Sequence, residues 1–246
     1  MWSVGRKTGR LYLGSRVALL QVSGHALVSL PHAPTLPLAA VLQQLALKSQ
    51  QQGIDLSKTV LDVDLSASLC KGAVVPSTFD RLPASGLPPL LQQALATQLS
   101  WPPVQWVLPS GSLAAGVLPV TTQGLMRNLR DWQAAQNIKL GVVQPLWALV
   151  TQSSRARSIS IKGLILKEPD GLTAFSGNEP KASNSRRAAW RFWPAQEATD
   201  HSQSLLNAVA ALSLDSSNMA FFAFHFQANF ANEPGLKAWA DHWEQT

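Results

Sequence analysis

The hydrophobic pattern of the chain switches repeatedly between the two-residue period of strands and the 3.6-residue period of helices. Residues 10–13 and 16–22 are short apolar runs on either side of Gly14-Ser15, which predicts a tight hairpin. Residues 25–31 follow Gly24 as a third strand, and Pro31, Pro34 and Pro37 then break the chain. Leu38, Val41, Leu42 and Leu45 recur at helical spacing with Gln43, Gln44 and Lys48 opposite, so a helix is expected over 38–52, closed by Gly53. Within 59–66, Leu61, Val63 and Leu65 take one face and Asp62, Asp64 and Ser66 the other, the pattern of a half-buried strand. Further strands are predicted over 69–76, 104–108, 113–120 and 138–143. Helices are predicted over 88–99, with proline in the first turn, from Thr121 or Thr122 to Gln136, and over 145–152.

A polar, basic seam, Ser153-Ser154-Arg155-Ala156-Arg157, separates this series from a second one. Strands are predicted over 158–166 and 172–176, around the turn signal Glu168-Pro169-Asp170-Gly171, and a third over 188–194. Leu205, Leu206, Val209 and Leu212 place a helix over 202–214. An aromatic strand at 219–226 follows, then a terminal helix over 234–243 with Trp239 and Trp243 on one face. Both series read in the same order: three strands, a helix, a strand. The expected organisation is a first half, 1–152, carrying an inserted subdomain at about 69–136, and a second half, 153–246, without a large insertion. No repeat is visible in the residues themselves, only in the order of elements. This α/β order, βββαβα twice with one insertion, resembles the actin-like ATPase fold, whose halves are ribonuclease-H-like.

Composition narrows the function classes. The 246 residues are 46% hydrophobic and 14% charged, against about 25% charged in an ordinary soluble domain. A chain this apolar can bury a core, so disorder is not expected. One cysteine, Cys70, excludes a disulfide framework or a cysteine cage within the chain. No charge-free apolar window is long enough to span a bilayer, and the first residues lack the apolar stretch of an export signal, so the expected compartment is the cytoplasm. The net charge is +6. The whole excess lies in residues 1–152, which contain no glutamate; residues 153–246 balance.

Particular residues carry a narrower resemblance. Leu11-Tyr12-Leu13-Gly14-Ser15-Arg16-Val17 resembles the first phosphate hairpin of PilM-type pilus-assembly proteins, which runs hydrophobic-Asp-Ile-Gly-Ser-x-x-Val-Lys. Residues 60–76, ending Lys71-Gly72-Ala73-Val74-Val75-Pro76, are similar to the next strand pair of that family. Residues 125–152 are similar to its helix, turn, strand and following helix. The shorter second half is more like the cytoplasmic region of GspL-type secretion platforms. The resemblance implies a scaffold at the cytoplasmic face of the inner membrane, peripheral to it. Such a scaffold holds the cytoplasmic tail of a membrane subunit of a type IV pilus or type II secretion-like platform, with an assembly ATPase as a further partner. It places the tail in the groove beside 104–120, with Trp101, Trp106, Val117 and Leu118 as contact residues.

The departures from that family decide the chemistry expected. Mg·ATP requires an acidic residue at the first hairpin and small residues whose N–H groups approach the phosphates. Here Tyr12 or Leu13 stands at the acidic position and Ala18 at the later lysine. Gly14 and Ser15 survive. In the second half the hairpin around Asp170-Gly171 lies where the second phosphate hairpin of that family should be, and ahead of its turn Ser160-Ile161-Lys162-Gly163 keeps the glycine and lacks the acid. The expectation is a degenerate phosphate hairpin (Tyr12, Leu13, Gly14, Ser15, Gly163) with no cofactor, no metal and no catalytic residues. The alternatives are an ATP-binding protein with altered ligands and a basic nucleic-acid-binding module. The last rests on Arg186, Arg187, Trp190, Arg191 and Trp193, where bases and aromatics interleave; an edge strand with its arginines in solvent explains the same run. Asp62 and Asp64 share a strand face and could hold a cation, but no third acid or histidine lies near them in sequence. The five histidines show no ligand spacing, and Cys70 reads as a packed small hydrophobe.

Overall fold

The hairpin predicted around Gly14 forms between β1 (Lys7–Leu13) and β2 (Val17–Val22). The computed structural model describes residues 7–75, 88–108, 116–152, 163–176, 188–195, 210, 219–224 and 236–238. β3 (Val28–Pro31) pairs antiparallel with β2, while β4 (Thr59–Leu65) runs parallel to β1 and β8 (Lys139–Pro145) parallel to β4. The sheet order is β3-β2-β1-β4-β8. The parallel pairs need crossovers, and helices α1 (Leu38–Gln51) and α3 (Gln123–Gln136) provide them, packing on each other. Thr122 caps α3 by accepting from the Leu125 N–H at 3.2 Å, and Asn137 ends it in the left-handed conformation at φ 51°. Leu11, Leu13, Leu20, Leu42, Leu45 and Leu129 form the centre of the first core, between helices and sheet.

The insertion is a small layer of its own. β5 (Cys70–Val74), β7 (Val117–Thr122) and β6 (Trp106–Val107) form an antiparallel sheet in that order. Helix α2 (Pro89–Leu99) lays Leu91, Leu95 and Leu99 against Ala73, Leu118 and Val120.

The second large sheet comprises β9 (Gly163–Glu168), β10 (Gly171–Ser176), β11 (Ala189–Pro194), β12 (Met219–Phe224) and β13 (Leu236–Ala238), in the order β11-β10-β9-β12-β13. As in the first sheet, a meander of three strands is joined by a fourth that runs parallel to its first. The last strand breaks the parallel. β13 is antiparallel to β12, where β8 is parallel to β4. Only eleven residues, 225–235, separate β12 from β13, too few for a helical crossover of a dozen or more. This corrects the terminal helix expected at 234–243: Leu236–Ala238 draw their hydrogen bonds from the edge of β12, which outweighs the helical spacing of the tryptophans. The helix expected at 202–214 falls outside the described residues apart from Ala210.

The two large sheets meet through α4 (Leu146–Gln152), which leaves β8 and carries Leu146, Trp147, Ala148 and Val150 into a second core. Tyr12 from β1, Leu164 and Leu166 from β9 and Phe175 from β10 join them. Trp147 is fully buried. Its ring lies 5.9 Å from Phe175 and 6.1 Å from Trp190, and its Nε1–H donates to the Cys70 carbonyl at 3.1 Å. One side chain of the first sheet's exit helix therefore touches both the insertion and the second sheet. Gly72 on β5 lets Trp190 approach, since a Cβ there would stand 2.4 Å from its ring. Trp147→Ala is expected to cost about 3–5 kcal/mol in chemical denaturation. A loss below 1 kcal/mol would show that the second core does not hold the sheets together.

Candidate functional site

Strand alternation sends Leu11 and Leu13 of β1 into the first core and Tyr12 out of the opposite face, into the second. Tyr12 is fully buried, and its hydroxyl donates to Glu168 Oε2 at 3.2 Å. Where the phosphate hairpin calls for a carboxylate, the chain has an aromatic ring that binds a carboxylate brought from the other half. Burial, aided by the charges of Glu168 and Asp170, pushes the Tyr12 hydroxyl well above its ordinary pKa, so it stays protonated.

The β1–β2 turn closes through the Gly14 N–H to the Val17 carbonyl at 3.0 Å. The next two amides, Ser15 and Arg16, have no ladder position. Both donate to the carboxylate of Asp170, at the tip of the β9–β10 hairpin: Ser15 N–H to Oδ2, and Arg16 N–H to Oδ1 at 3.2 Å. Ser68 Oγ donates to Oδ2 as well. A Cβ on Gly14 would stand 2.7 Å from that carboxylate, so the absence of a side chain at 14 is what admits it. Glu168, two residues earlier, is buried on the same tip. It accepts from the Ala67 N–H and from Thr173 Oγ1, each at 3.1 Å, besides Tyr12. Three tips thus converge: 14–16, 66–68 and 168–170.

Beside them lies a cleft of about 550 Å³, bordered by Arg16, Ser68, Lys71, Trp190 and Arg191 as well as Asp170, within the range of small-molecule sites. Lys71 lies over the Trp101 ring at 4.2 Å, and burial lowers its pKa. The ion pairs Arg10–Asp64 and Lys58–Asp55 include none of the three cations of the cleft.

The hairpin expectation needs correcting at its second half. Gly163 begins β9 opposite Ser176, at the far end of the strand from the turn, because β9 runs on through Lys167 and Glu168. The acids are Glu168 and Asp170, so the second hairpin is not empty of carboxylates. Their straddling of Pro169 in the turn signal was the available clue. Gly14, Ser15 and Tyr12 stand where the sequence put them, around the tip; Leu13 faces the helix-side core.

Other candidates resolve locally. Asp64 is buried and bound by Arg10, whose Nη2 is 3.2 Å from Oδ1, while Asp62 accepts from the Val142 N–H at 2.9 Å. An arginine holds the place of the cation considered there. No group of three or more potential metal ligands occurs among the described residues. Val117 and Leu118 are buried, at 0% and 2% exposure. β7 is the central strand of its sheet and is covered on both faces, so neither residue offers a side chain to a partner; this corrects their place in the contact set. Trp101 packs against the insertion core, and the Trp106 side chain lies outside the described residues. Leu90, Val104 and Leu108 are the exposed large apolar residues of the insertion among the described residues, at 81%, 75% and 38%. In β11, Trp190 is turned inward against Gly72 and Trp147, which removes it as a stacking platform; Arg186 and Arg187 lie outside the described residues. Cys70 is buried, which raises its thiol pKa.

Mg·ATP, the ligand of ATPases with this layout, does not fit these residues. The amides that would meet phosphate already hold Asp170, and the first strand carries Tyr12 in place of an acid.

Burial pushes Glu168 from its ordinary 4.5 up to about 7, with the nearby charge of Asp170 adding to it and the bond from Ala67 opposing. The folded state then holds its proton more tightly than the unfolded one. The resulting stability is complete below pH 4.5 and is lost as pH rises through 7. Glu168→Gln keeps the acceptor for Ala67 and Thr173 and removes the titration. It is expected to gain on the wild type between pH 5 and pH 8, on the order of 3 kcal/mol in urea denaturation. A difference independent of pH would contradict the assignment.

No protein-family model matches the chain, and no curated protein sequence matches it. Solved structures do. A Bacteroides thetaiotaomicron protein of unknown function with an actin-like ATPase fold aligns at TM-score 0.55 and 9% identity, over 92% of this chain and 84% of that one. The cytoplasmic domain of EpsL, an inner membrane component of the Vibrio cholerae type II secretion system, aligns at TM-score 0.49 and 14% identity, over 88% and 80%. A PilM–PilN type IV pilus biogenesis complex aligns at TM-score 0.47 and 17% identity, over 84% and 68%. The chain has the actin-like ATPase fold, with the two hairpin tips that face the cleft of that fold bonded directly to each other.

Proposed function

We propose that the protein is a non-catalytic scaffold of a type IV pilus or type II secretion-like assembly platform. It works at the cytoplasmic face of the inner membrane and holds the cytoplasmic tail of a membrane subunit. An assembly ATPase is a further partner. The observation that carries the non-catalytic part is the Asp170 carboxylate seated on the Ser15 and Arg16 amides, with Tyr12 in place of the first-strand acid. In-line phosphoryl chemistry needs those donors for the phosphate and an acid for its metal; the donors are committed to Asp170 and the first strand has Tyr12 where the acid would be. The platform part rests on the likeness of residues 11–20, 60–76 and 125–152 to PilM-type proteins. No helix among the described residues is long and apolar enough to cross a membrane. The excess positive charge of residues 1–152 adds attraction to an anionic membrane surface.

With Val117 and Leu118 buried, the tail has to meet the outer surface of the insertion. Val104 and Leu108, at 75% and 38% exposure, flank the two-residue edge strand β6, and an edge strand with apolar neighbours can accept an extended peptide. The second reading, an ATP-binding protein with altered ligands, draws on the 550 Å³ cleft and its arginines and lysine. Calorimetry separates the two. The scaffold reading expects no saturable heat with Mg·ATP at micromolar to millimolar concentration, and micromolar binding would replace it with the nucleotide reading. Pull-down from solubilised membranes is expected to recover an inner-membrane pilus or secretion subunit with the wild type and at least tenfold less with Val104→Asp/Leu108→Asp. Recovery of no such subunit by the wild type would overturn the platform assignment.

A further inference from the structure

Two consecutive backbone amides aimed at one carboxylate form a nest, a concavity of fixed partial positive charge that selects anions. The β1–β2 turn is such a nest, made by Ser15 and Arg16, and Ser68 adds a hydroxyl donor from the β4–β5 turn. The donors come from the first half of the chain and the anion from the second, 155 residues away in sequence from Ser15. The floor of the nest is Gly14, with no room for a side chain beside the carboxylate. The Asp170 backbone is itself held, its carbonyl accepting from the Ala195 N–H at 2.8 Å. Arg16, Lys71 and Arg191 border the adjoining cleft and keep the approach to the nest positive.

We infer that the turn of residues 14–16 is an oxyanion site whose resident ligand is Asp170 of the same chain, so that the chain inhibits its own anion binding. Seating of an outside oxyanion and seating of Asp170 are mutually exclusive, because both need the same two amides and the same space above Gly14. Removing the carboxylate leaves a preformed, positively bordered nest. The anion it takes is recognised by its geometry, two or more oxygens on one centre, with inorganic phosphate as the simplest case. This deepens the scaffold reading and rests on it for one point, that the wild type carries no outside anion.

The test is thermal unfolding of the full chain in rising inorganic phosphate, with chloride at matched ionic strength as the reference. For Asp170→Ala the melting temperature is expected to climb by a few degrees and saturate in the millimolar range, as for a ligand that binds only the folded state. The wild type is expected to stay flat. Gly14→Ala/Asp170→Ala, whose added Cβ stands where the anion sits, is expected to lose the response, which places binding at the nest and not on surface arginines. Asp170→Asn keeps an oxygen for one amide and the bulk of the side chain. It serves where the alanine variant does not fold, with a weaker but saturable response. A flat Asp170→Ala or, failing that, a flat Asp170→Asn, a wild type that responds equally, or a response that survives Gly14→Ala would each overturn the inference. Mg·ATP binding to the wild type tests the scaffold reading separately, so either can fail without the other.

Discussion

A carboxylate taken from water must find its hydrogen bonds inside the protein or stay outside. At the junction of the two halves, Asp170 and Glu168 are taken out of water together, and their donors come almost entirely from the other half: Ser15 and Arg16 on one turn, Ala67 and Ser68 on the next, Tyr12 on the central strand. Much of the architecture follows from satisfying those two groups. Gly14 must lack a side chain, Tyr12 must present its hydroxyl at the right height, and β9 must run two residues past Leu166 to bring Glu168 under the first sheet. The apolar core around Trp147 adjoins this polar centre through Tyr12, Ala67 and Leu166. An actin-like layout brings its two hairpin tips together to grip a charged ligand between them; in this chain the tips grip each other.

The sense of the charge distribution changes accordingly. The first half has no glutamate and five aspartates, and three of these are held: Asp64 by Arg10, Asp62 by the Val142 amide, Asp55 by Ser57 and Lys58. The second half, neutral in sum, supplies the two carboxylates at the junction. Those carboxylates are held by backbone amides and hydroxyls, not by the basic side chains that make up the excess.

Much of the fold was legible because it is local. The hairpin at Gly14, the helix over 38–52 and the cap at Thr122 are each settled within a turn or two by periodicity, a glycine or a side-chain oxygen. The site was half legible. Gly14 and Ser15 stand out as a preserved turn, Tyr12 as a substitution for an acid, and Asp170-Gly171 as the place of the second hairpin, but the carboxylates of Glu168 and Asp170 read only as turn chemistry. Their role depends on contacts more than a hundred residues distant, which no window reveals. A strand that ends at 166 places the hairpin's acid near Gly163, whereas β9 runs on to Glu168 and Gly163 lies at its other end. Val117 and Leu118 went astray for a related reason: an apolar strand beside a tryptophan looks like a sticky surface until α2 and α4 are seen to cover its two faces. At 236–238 a strand edge already in place overrode helical spacing, a case of tertiary context defeating local preference.

The central claim is that the phosphate-hairpin amides are satisfied by the chain itself. Amide hydrogen exchange at Ser15, Arg16 and Ala67, measured without nucleotide, tests it most directly. The account predicts exchange as slow as that of the interior of β1, in the global-unfolding limit. Fast, loop-like exchange at Ser15 and Arg16 that becomes slow when Mg·ATP is added would contradict it.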